Sequence, residues 1–234
     1  MSLLQNNTDA LNRLRRCSRE ELEAVFGSME PVTGAVVGAL YNADTEGMKN
    51  ILLHTNPAGV IAGLKIAALL TGAERAELVV NCEVNQQELE ASAGIVELPL
   101  TITRAALVNK MLHKNDRIFC LDELAAMADR LMGNTPGLLV ALDGETPTEE
   151  EPSRLVKELA GECKGILIDH RFYSAQELEG LSLEQLHSRS GVIRRLTEKD
   201  CPVDGAKREI LSLRQKSCGK CTFCREGLYQ LAEI

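Results

Sequence analysis

The pattern of apolar and polar residues along the chain predicts an α/β protein. Residues 34–80 combine a short apolar run, a polar loop, a long apolar helix and a second apolar run. This order is typical of a mainly parallel sheet with covering helices. Apolar residues recur at helical spacing in 8–26, 60–71, 86–93, 118–132, 153–159 and 203–214. Apolar runs of strand length occupy 34–41, 76–80, 95–102, 138–142, 165–169 and 192–193.

Local signals mark where these elements begin and end. Asn56 and Pro57 are suited to open the long helix and Gly72 to end it, and Ser18–Glu21 predicts a capping box. The segment 133–137, Gly-Asn-Thr-Pro-Gly, is the strongest boundary signal. The acidic residues of 146–152 predict a surface loop. We predict an N-terminal helix at 1–29, an α/β unit at 30–132, a small strand-rich unit at 134–178 and a C-terminal helical segment at 179–234.

Composition narrows the classes of function. The 234 residues are 44% hydrophobic but only 3% aromatic, so the core must be aliphatic. The net charge of −8 argues against a nucleic-acid partner, because phosphate binding needs a basic surface. No apolar run reaches the roughly 18 residues of a membrane helix, and the N-terminus lacks the apolar core of a signal peptide. We therefore expect a cytoplasmic protein without direct membrane insertion.

Three of the eight cysteines, Cys218, Cys221 and Cys224, are spaced three residues apart. A C-x2-C-x2-C run brings three thiolates within reach of one inorganic centre and favours an iron–sulfur cluster. Zinc is the alternative, although it prefers four ligands from two cysteine pairs and no second pair is present. Metal-free thiols are the third interpretation. The positively charged Lys220 and Arg225 flank these thiols and would offset the charge of a cluster.

With its neighbours, this run resembles a family signature. Residues 217–227, SCGKCTFCREG, are similar to the S-C-G-x-C-x-x-C-R-E-G signature of the NADH-binding flavoprotein subunit of respiratory complex I and of related hydrogenase and formate dehydrogenase subunits. The resemblance implies that Cys218, Cys221 and Cys224 supply three of four ligands to a [4Fe–4S] cluster. Cys201 corresponds to a cysteine that is not a ligand. The family's fourth ligand follows tens of residues later, so either the chain is truncated after Ile234 or this ligand comes from elsewhere.

Weaker similarities extend over most of the chain. Residues 41–44, Tyr-Asn-Ala-Asp, resemble a family segment that contacts FMN, which implies FMN contacts for Asn42 and Asp44. Residues 57–73 resemble the helix that follows that segment. Residues 138–169 resemble the family's β-grasp, or soluble-ligand-binding, domain. The resemblance thus implies a reduced flavin-domain-like unit at 30–132, a β-grasp unit at 134–178 and the start of a helical cluster domain at 179–234.

Departures from the family pattern decide which function we predict. Residues 27–34, GSMEPVTG, lack the glycine run and the lysine of the family's phosphate loop, and Glu30 adds a negative charge. Residues 81–85 lack the family's second nucleotide motif. We therefore predict an electron-transfer subunit with a [4Fe–4S] cluster and without working FMN and NADH sites. Its partners would be other redox subunits of a larger complex.

Two alternatives remain open from the sequence. The first is an FMN-dependent NADH dehydrogenase subunit with an atypical FMN loop. The second is a zinc-stabilised interaction protein without catalysis. The sequence leaves open whether the chain is itself an enzyme, and it identifies neither the electron donor nor the acceptor.

Overall fold

The structure, a computed structural model, describes residues 2–40, 44, 47–105, 108, 112–150, 164–168, 171–174, 176–177, 191–217, 219 and 221–233. The chain divides into two compact units: unit 1 comprises residues 1–40 and 49–137, and unit 2 comprises residues 41–48 and 138–234. Parallel strands flanked by helices, a mixed second sheet and a C-terminal helix confirm the predicted α/β class. The finer boundaries at 30–132, 134–178 and 179–234 stay a prediction.

Unit 1 is built on a parallel sheet of four strands in the order β3-β2-β1-β4. All three neighbouring pairs are parallel, so the carboxyl ends of the strands lie along one edge. The strands are β1 (Val36–Ala39), β2 (Ala76–Val80), β3 (Leu100–Arg104) and β4 (Arg117–Cys120). The helices are α1 (Thr8–Leu14), α2 (Arg19–Phe26), α3 (Ile51–Thr55), α4 (Pro57–Thr71), α5 (Gln86–Ile95) and α6 (Leu121–Leu131). A 3₁₀ turn at Met48–Asn50 precedes α3.

Helix α4 is the central helix of unit 1, and its local sequence fixes both ends. The Asn56 side chain accepts a hydrogen bond from the Gly59 N–H, and Pro57 occupies the first turn, where no N–H donor is needed. Gly72 ends the helix in the left-handed conformation at φ 71°. These features confirm the predicted helix. Most α4 residues are buried, which suits its uniformly apolar sequence.

Buried asparagines connect the N-terminal segment to this helix. Asn7 and Asn56 are both fully buried. The Asn56 Oδ1 atom accepts from the Asn7 N–H at 2.9 Å, and its Nδ2 donates to the Leu3 carbonyl at 2.8 Å. Asn7 Oδ1 caps α1, and Asn7 Nδ2 donates to Asp129 Oδ1 on α6 at 3.0 Å. Because buried polar groups need partners, this network fixes the chain before α1 against α4 and α6.

The single helix predicted at 8–26 is wrong, because the structure has two helices there. Helix α1 ends at Leu14, and Ser18 adopts an extended conformation with ψ 164° before α2 begins. The Ser18 hydroxyl accepts from the Glu21 N–H, and the Glu21 carboxylate accepts from the Ser18 N–H. The predicted capping box is therefore confirmed, and it starts a new helix instead of lying inside one.

Two further element predictions in unit 1 are wrong. The strand predicted at 95–102 begins only at Leu100, because α5 extends to Ile95 and Glu97 adopts a positive φ of 50°. The helix predicted at 118–132 begins at Leu121, because Arg117–Cys120 pairs with β1 as strand β4. In both places a short strand depends on a partner that is distant in sequence.

Unit 2 contains a mixed sheet of five strands in the order β6-β5-β9-β7-β8. Strand β5 pairs in parallel with β9, and the remaining neighbours are antiparallel. The strands are β5 (Leu138–Leu142), β6 (Thr148–Glu150), β7 (Gly165–Ile168), β8 (Arg171–Ser174) and β9 (Val192–Leu196). The helical part comprises α7 (Pro202–Lys216), a π-helical turn (Phe223–Gly227) and α8 (Leu228–Glu233).

The sheet of unit 2 corrects the prediction of an acidic surface loop at 146–152. Thr148–Glu150 forms strand β6 because its backbone pairs with β5, although its side chains are polar. The helix predicted at 153–159 lies outside the described residues. Arg194 on β9 pairs with Glu209 on α7 at 3.0 Å, so this ion pair attaches the C-terminal helix to the sheet.

No single helix among the described residues is both long and apolar enough to cross a membrane. Met48–Thr55 and Pro57–Thr71 reach that length and composition only as a pair, and the two segments are bent by 98°.

Candidate metal centre

The cysteine segment follows a sharp end to α7. Ser217 leaves the helix with an extended ψ of 137°, and its hydroxyl accepts a hydrogen bond from the Gly219 N–H at 3.2 Å. Gly219 has a φ of 66°, a conformation that glycine adopts without the steric cost of a side chain. The chain then winds into the π-helical turn, a form that is frequent at functional sites.

The structure describes two of the three predicted metal ligands. Cys221 is exposed and Cys224 is half-buried, and neither forms a disulfide. Cys218 lies outside the described residues. Within the described part of the chain, no group of three or more His, Cys, Asp or Glu side chains converges as a metal site. The donor set nevertheless suits an iron–sulfur group, because two accessible thiols one helical turn apart belong to the C-x2-C-x2-C run.

A cavity of about 300 Å³ opens beside Cys224. Its lining includes Ser217 and two cationic side chains, Arg214 and Arg225. The Arg225 guanidinium pairs with Glu226 at 2.9 Å, whereas that of Arg214 lies 4.5 Å from the centre of the Tyr229 ring. Such a cation–π contact is worth about 0.5–1 kcal/mol at an exposed site. Sequence reasoning missed Arg214 and Tyr229, since no local pattern connects residues on two different helices.

The other described cysteines do not complete this site. Cys201 is the N-cap of α7, and the 15 residues of that helix separate it from Ser217 by about 24 Å. Among the described residues, Cys201 does not converge with Cys221 and Cys224 as a group that could hold a metal ion. In unit 1, burial raises the pKa of the Cys82 thiol, which opposes the thiolate form that a metal needs.

The two predicted FMN contacts are only partly described. Asn42 lies outside the described residues. Asp44 is 4% exposed, and its Oδ1 atom accepts a hydrogen bond from the Met48 N–H at 3.0 Å. This bond is a local turn contact, as expected for an aspartate just after a strand.

The carboxyl edge of the parallel sheet carries a buried ion pair. Asp122 lies in the first turn of α6, directly after β4, and its Oδ2 atom contacts Lys49 Nζ at 2.7 Å. The Lys49 side chain is only 1% exposed and the Asp122 side chain 21%. Ligands of open α/β sheets bind outside this edge. Beside the carboxyl end of β4, the Lys49 ammonium group therefore lies where a ligand of such a sheet would bind.

The segment 27–34, which we expected to stand in place of a phosphate loop, is hydrogen-bonded at the opposite edge of the sheet. The Val32 N–H donates to the Thr71 carbonyl at 3.1 Å, and the Gly34 N–H donates to the Asn115 carbonyl at 3.0 Å. Thr71 is the last residue of α4 before β2, and Asn115 precedes β4. Both carbonyls therefore belong to the amino edge, so this segment is not positioned to hold a phosphate at the carboxyl edge.

Comparison with known proteins places the cysteine segment. Residues 205–234 match the family model of the NADH-ubiquinone oxidoreductase-F iron-sulfur binding region. This segment is similar to that iron–sulfur binding region. The family carries a [4Fe–4S] cluster, so the predicted cluster type and the predicted resemblance to NADH-binding flavoprotein subunits are confirmed at this level. No curated protein matches the sequence significantly.

Solved structures extend the similarity in fold to nearly the whole chain. An NAD+-reducing [NiFe]-hydrogenase in the H2-reduced state has a chain with 18% identity and a TM-score of 0.61, which covers 97% of this chain and 52% of its own. The same enzyme in the air-oxidized state gives 17% identity and a TM-score of 0.60, with the same coverage. At this identity the similarity shows the fold alone. The present chain spans about half the length of those chains.

Proposed function

We propose that the chain is an electron-transfer subunit in which Cys218, Cys221 and Cys224 bind a [4Fe–4S] cluster. The observation that carries this proposal is the match of residues 205–234, which contain all three cysteines, to an iron–sulfur binding region. The exposed Cys221 and the half-buried Cys224 beside a cavity support it. Thiolate ligands hold the iron of such clusters, and the surrounding charge sets the reduction potential.

A cluster held by these three cysteines needs one further ligand. Cys201 lies at the opposite end of α7 from Ser217 and does not converge with the described Cys221 and Cys224, so we do not assign it as that ligand. We propose that the fourth ligand comes from outside residues 201–224, either from another segment or from a partner redox subunit. The similarity to hydrogenase chains supports a partner of this kind.

We also propose that the chain has no working FMN or NADH site. The residues that the structure describes do not fit FMN in the family's manner. The segment 27–34 is hydrogen-bonded at the amino edge of the sheet. At the carboxyl edge, Lys49 is paired with Asp122 and is not exposed to a ligand. Glycine-rich loops bind phosphate through backbone N–H groups that approach it closely, and residues 27–34 contain no glycine run. This supports the proposal that the chain has no working FMN site.

A chain of this kind would relay single electrons between partner subunits. Passing electrons from NADH to an iron–sulfur cluster requires a hydride-accepting cofactor such as flavin, which the protein orients but does not replace. The chain would therefore not oxidise NADH alone. A cytoplasmic location stays part of this proposal.

Metal analysis of anaerobically purified protein tests the proposal. We expect iron and sulfide in equal amounts and an electron paramagnetic resonance signal after reduction. Cys221→Ser and Cys224→Ser should each lower the iron content severalfold, whereas Cys201→Ser, at the other end of α7, should not. Equal iron loss in all three variants, or zinc without iron and sulfide, would contradict the proposal.

The second candidate is an FMN-dependent NADH dehydrogenase subunit. It is favoured by the similarity in fold to an NAD+-reducing enzyme over 97% of the chain. Flavin absorbance separates the two candidates. An FMN band near unit stoichiometry in the purified protein would refute the relay, and protein with iron and sulfide but without flavin would exclude the second candidate.

A further inference from the structure

We propose that Arg214, held over the ring of Tyr229, raises the reduction potential of the iron–sulfur group bound by the cysteine segment. This inference rests on the function proposed above. It assigns a role to Arg214 and Tyr229, which lie just before and just after the cysteine signature at 217–227.

The position of Arg214 is set by two helices. Arg214 lies in the last turn of α7, and Tyr229 lies in the first turn of α8. The guanidinium carbon is 4.5 Å from the centre of the ring, and both side chains line the cavity that also contains Cys224. The ring thus holds a positive charge at the same cavity as a predicted thiolate ligand.

Glu226 offsets the positive charge of Arg225, whereas no described carboxylate offsets that of Arg214. Arg225 contacts the Glu226 carboxylate at 2.9 Å, and this pair is close to neutral. Among the described side chains, Arg214 has an aromatic ring and no carboxylate as its partner. Arg214 is therefore the described cation whose field at the cavity is least cancelled.

The sign of the effect follows from electrostatics. Reduction adds one negative charge to an iron–sulfur group with thiolate ligands, and a nearby cation favours the more negative form. Removing the cation should therefore lower the reduction potential. Because Arg214 is exposed, dissolved salt should weaken its influence, so the difference between variants should shrink as ionic strength rises.

The experiment is a redox titration of the full chain, reconstituted with iron, sulfide and a small thiol that can fill the fourth coordination position. We expect Arg214→Gln to lower the ratio of reduced to oxidised protein about tenfold at the wild-type midpoint, equivalent to about 59 mV for one electron. Arg214→Lys should shift it less. The matched control is Arg208→Gln, which removes the same charge from α7 about 9 Å further from the cavity.

Several outcomes would overturn the proposal. An unchanged midpoint in Arg214→Gln, or an equal shift in Arg208→Gln, would contradict a local charge effect. Lower iron content with an unchanged midpoint would show a purely structural role. If Arg214→Gln holds no cluster, Tyr229→Leu replaces it, since this change releases the guanidinium from its ring; it should lower the midpoint, and an unchanged value refutes the proposal. Wild-type protein that binds no iron and sulfide would refute the proposed function as well.

Discussion

Helices α4 and α6 of unit 1 approach each other closely at Gly63 of α4. A Cβ atom placed on Gly63 would lie 2.6 Å from both the Cα and the carbonyl carbon of Leu124 on α6, and closer still to the Leu124 carbonyl oxygen. Carbon atoms in contact normally remain about 3.5 Å or more apart. Gly63→Ala therefore forces α4 and α6 apart by close to 1 Å, because the obstructing atoms are backbone and cannot rotate away.

The expected loss of stability follows from two opposing terms. Overpacking of a core costs about 1–3 kcal/mol. Replacing glycine by alanine within a helix returns about 0.5–1 kcal/mol. For contact with rigid backbone we take the upper part of the first range, so the free energy of unfolding should fall by about 2 kcal/mol. This fall corresponds to about 4–8 °C in the melting temperature of a chain of this size.

Gly94 of α5 provides the matched control. A Cβ atom on Gly94 would meet no atom within 4 Å, so Gly94→Ala keeps only the favourable helical term and should stabilise by about 0.5–1 kcal/mol. Urea unfolding followed by circular dichroism measures both variants. The reasoning is refuted if Gly63→Ala is as stable as the wild type, or if the two variants shift stability in the same direction.

Three further predictions concern unit 1. Asn56→Ala should lower the free energy of unfolding by about 2–4 kcal/mol, because it removes the cap of α4 and leaves the buried Asn7 N–H and Leu3 carbonyl unpaired. The control is Asn85→Ala at the exposed cap of α5, which should cost about 1 kcal/mol. Similar losses for the two variants in urea unfolding would contradict this. Burial opposes ionisation of Asp116, but hydrogen bonds from the Ala35 N–H and His113 lower its pKa overall. Its carboxylate thus contributes stability above its unfolded pKa of about 3.9, and this contribution is lost as pH falls through the lower folded pKa. The free energy of unfolding, measured from pH 6 to pH 2, should therefore fall less steeply at the acidic end in Asp116→Asn than in the wild type. The same pH dependence in both proteins would refute this. Asp122→Asn should lower the free energy of unfolding by about 3–5 kcal/mol, because it removes the ion-pair partner of the buried Lys49. The double variant Lys49→Met/Asp122→Leu should be more stable than Asp122→Asn, because it leaves no buried charge unpaired. A double variant that is less stable than Asp122→Asn would contradict this.

Elements with strong local signals were predictable from the sequence. Helix α4 has a capping asparagine, an initial proline and a terminal glycine, and all three act as predicted. Strand β2 occupies the residues predicted for it, and β5 does as well. In these places, backbone preference and apolar periodicity agree, so the local sequence suffices.

Short strands were missed where pairing outweighs local preference. Arg117–Cys120 continues directly into α6, and the apolar pattern of the two elements is continuous in sequence. Only pairing of these residues with β1, some eighty positions earlier, makes them a strand. The polar Thr148–Glu150 likewise becomes a strand because β5 offers it free backbone groups.

The candidate metal centre shows the same division. The spacing of Cys218, Cys221 and Cys224 predicts the chemistry from the sequence, because a C-x2-C-x2-C run is a common way to supply thiolates to an iron–sulfur cluster. The Lys49–Asp122 ion pair joins residues 73 positions apart, and the contact of Arg214 with Tyr229 crosses from one helix to another. These contacts exist only once the chain has packed, so the charge beside the cavity and the charge at the sheet edge are properties of the tertiary structure. The sequence determined which metal chemistry to expect, and the packing determined which charges surround it.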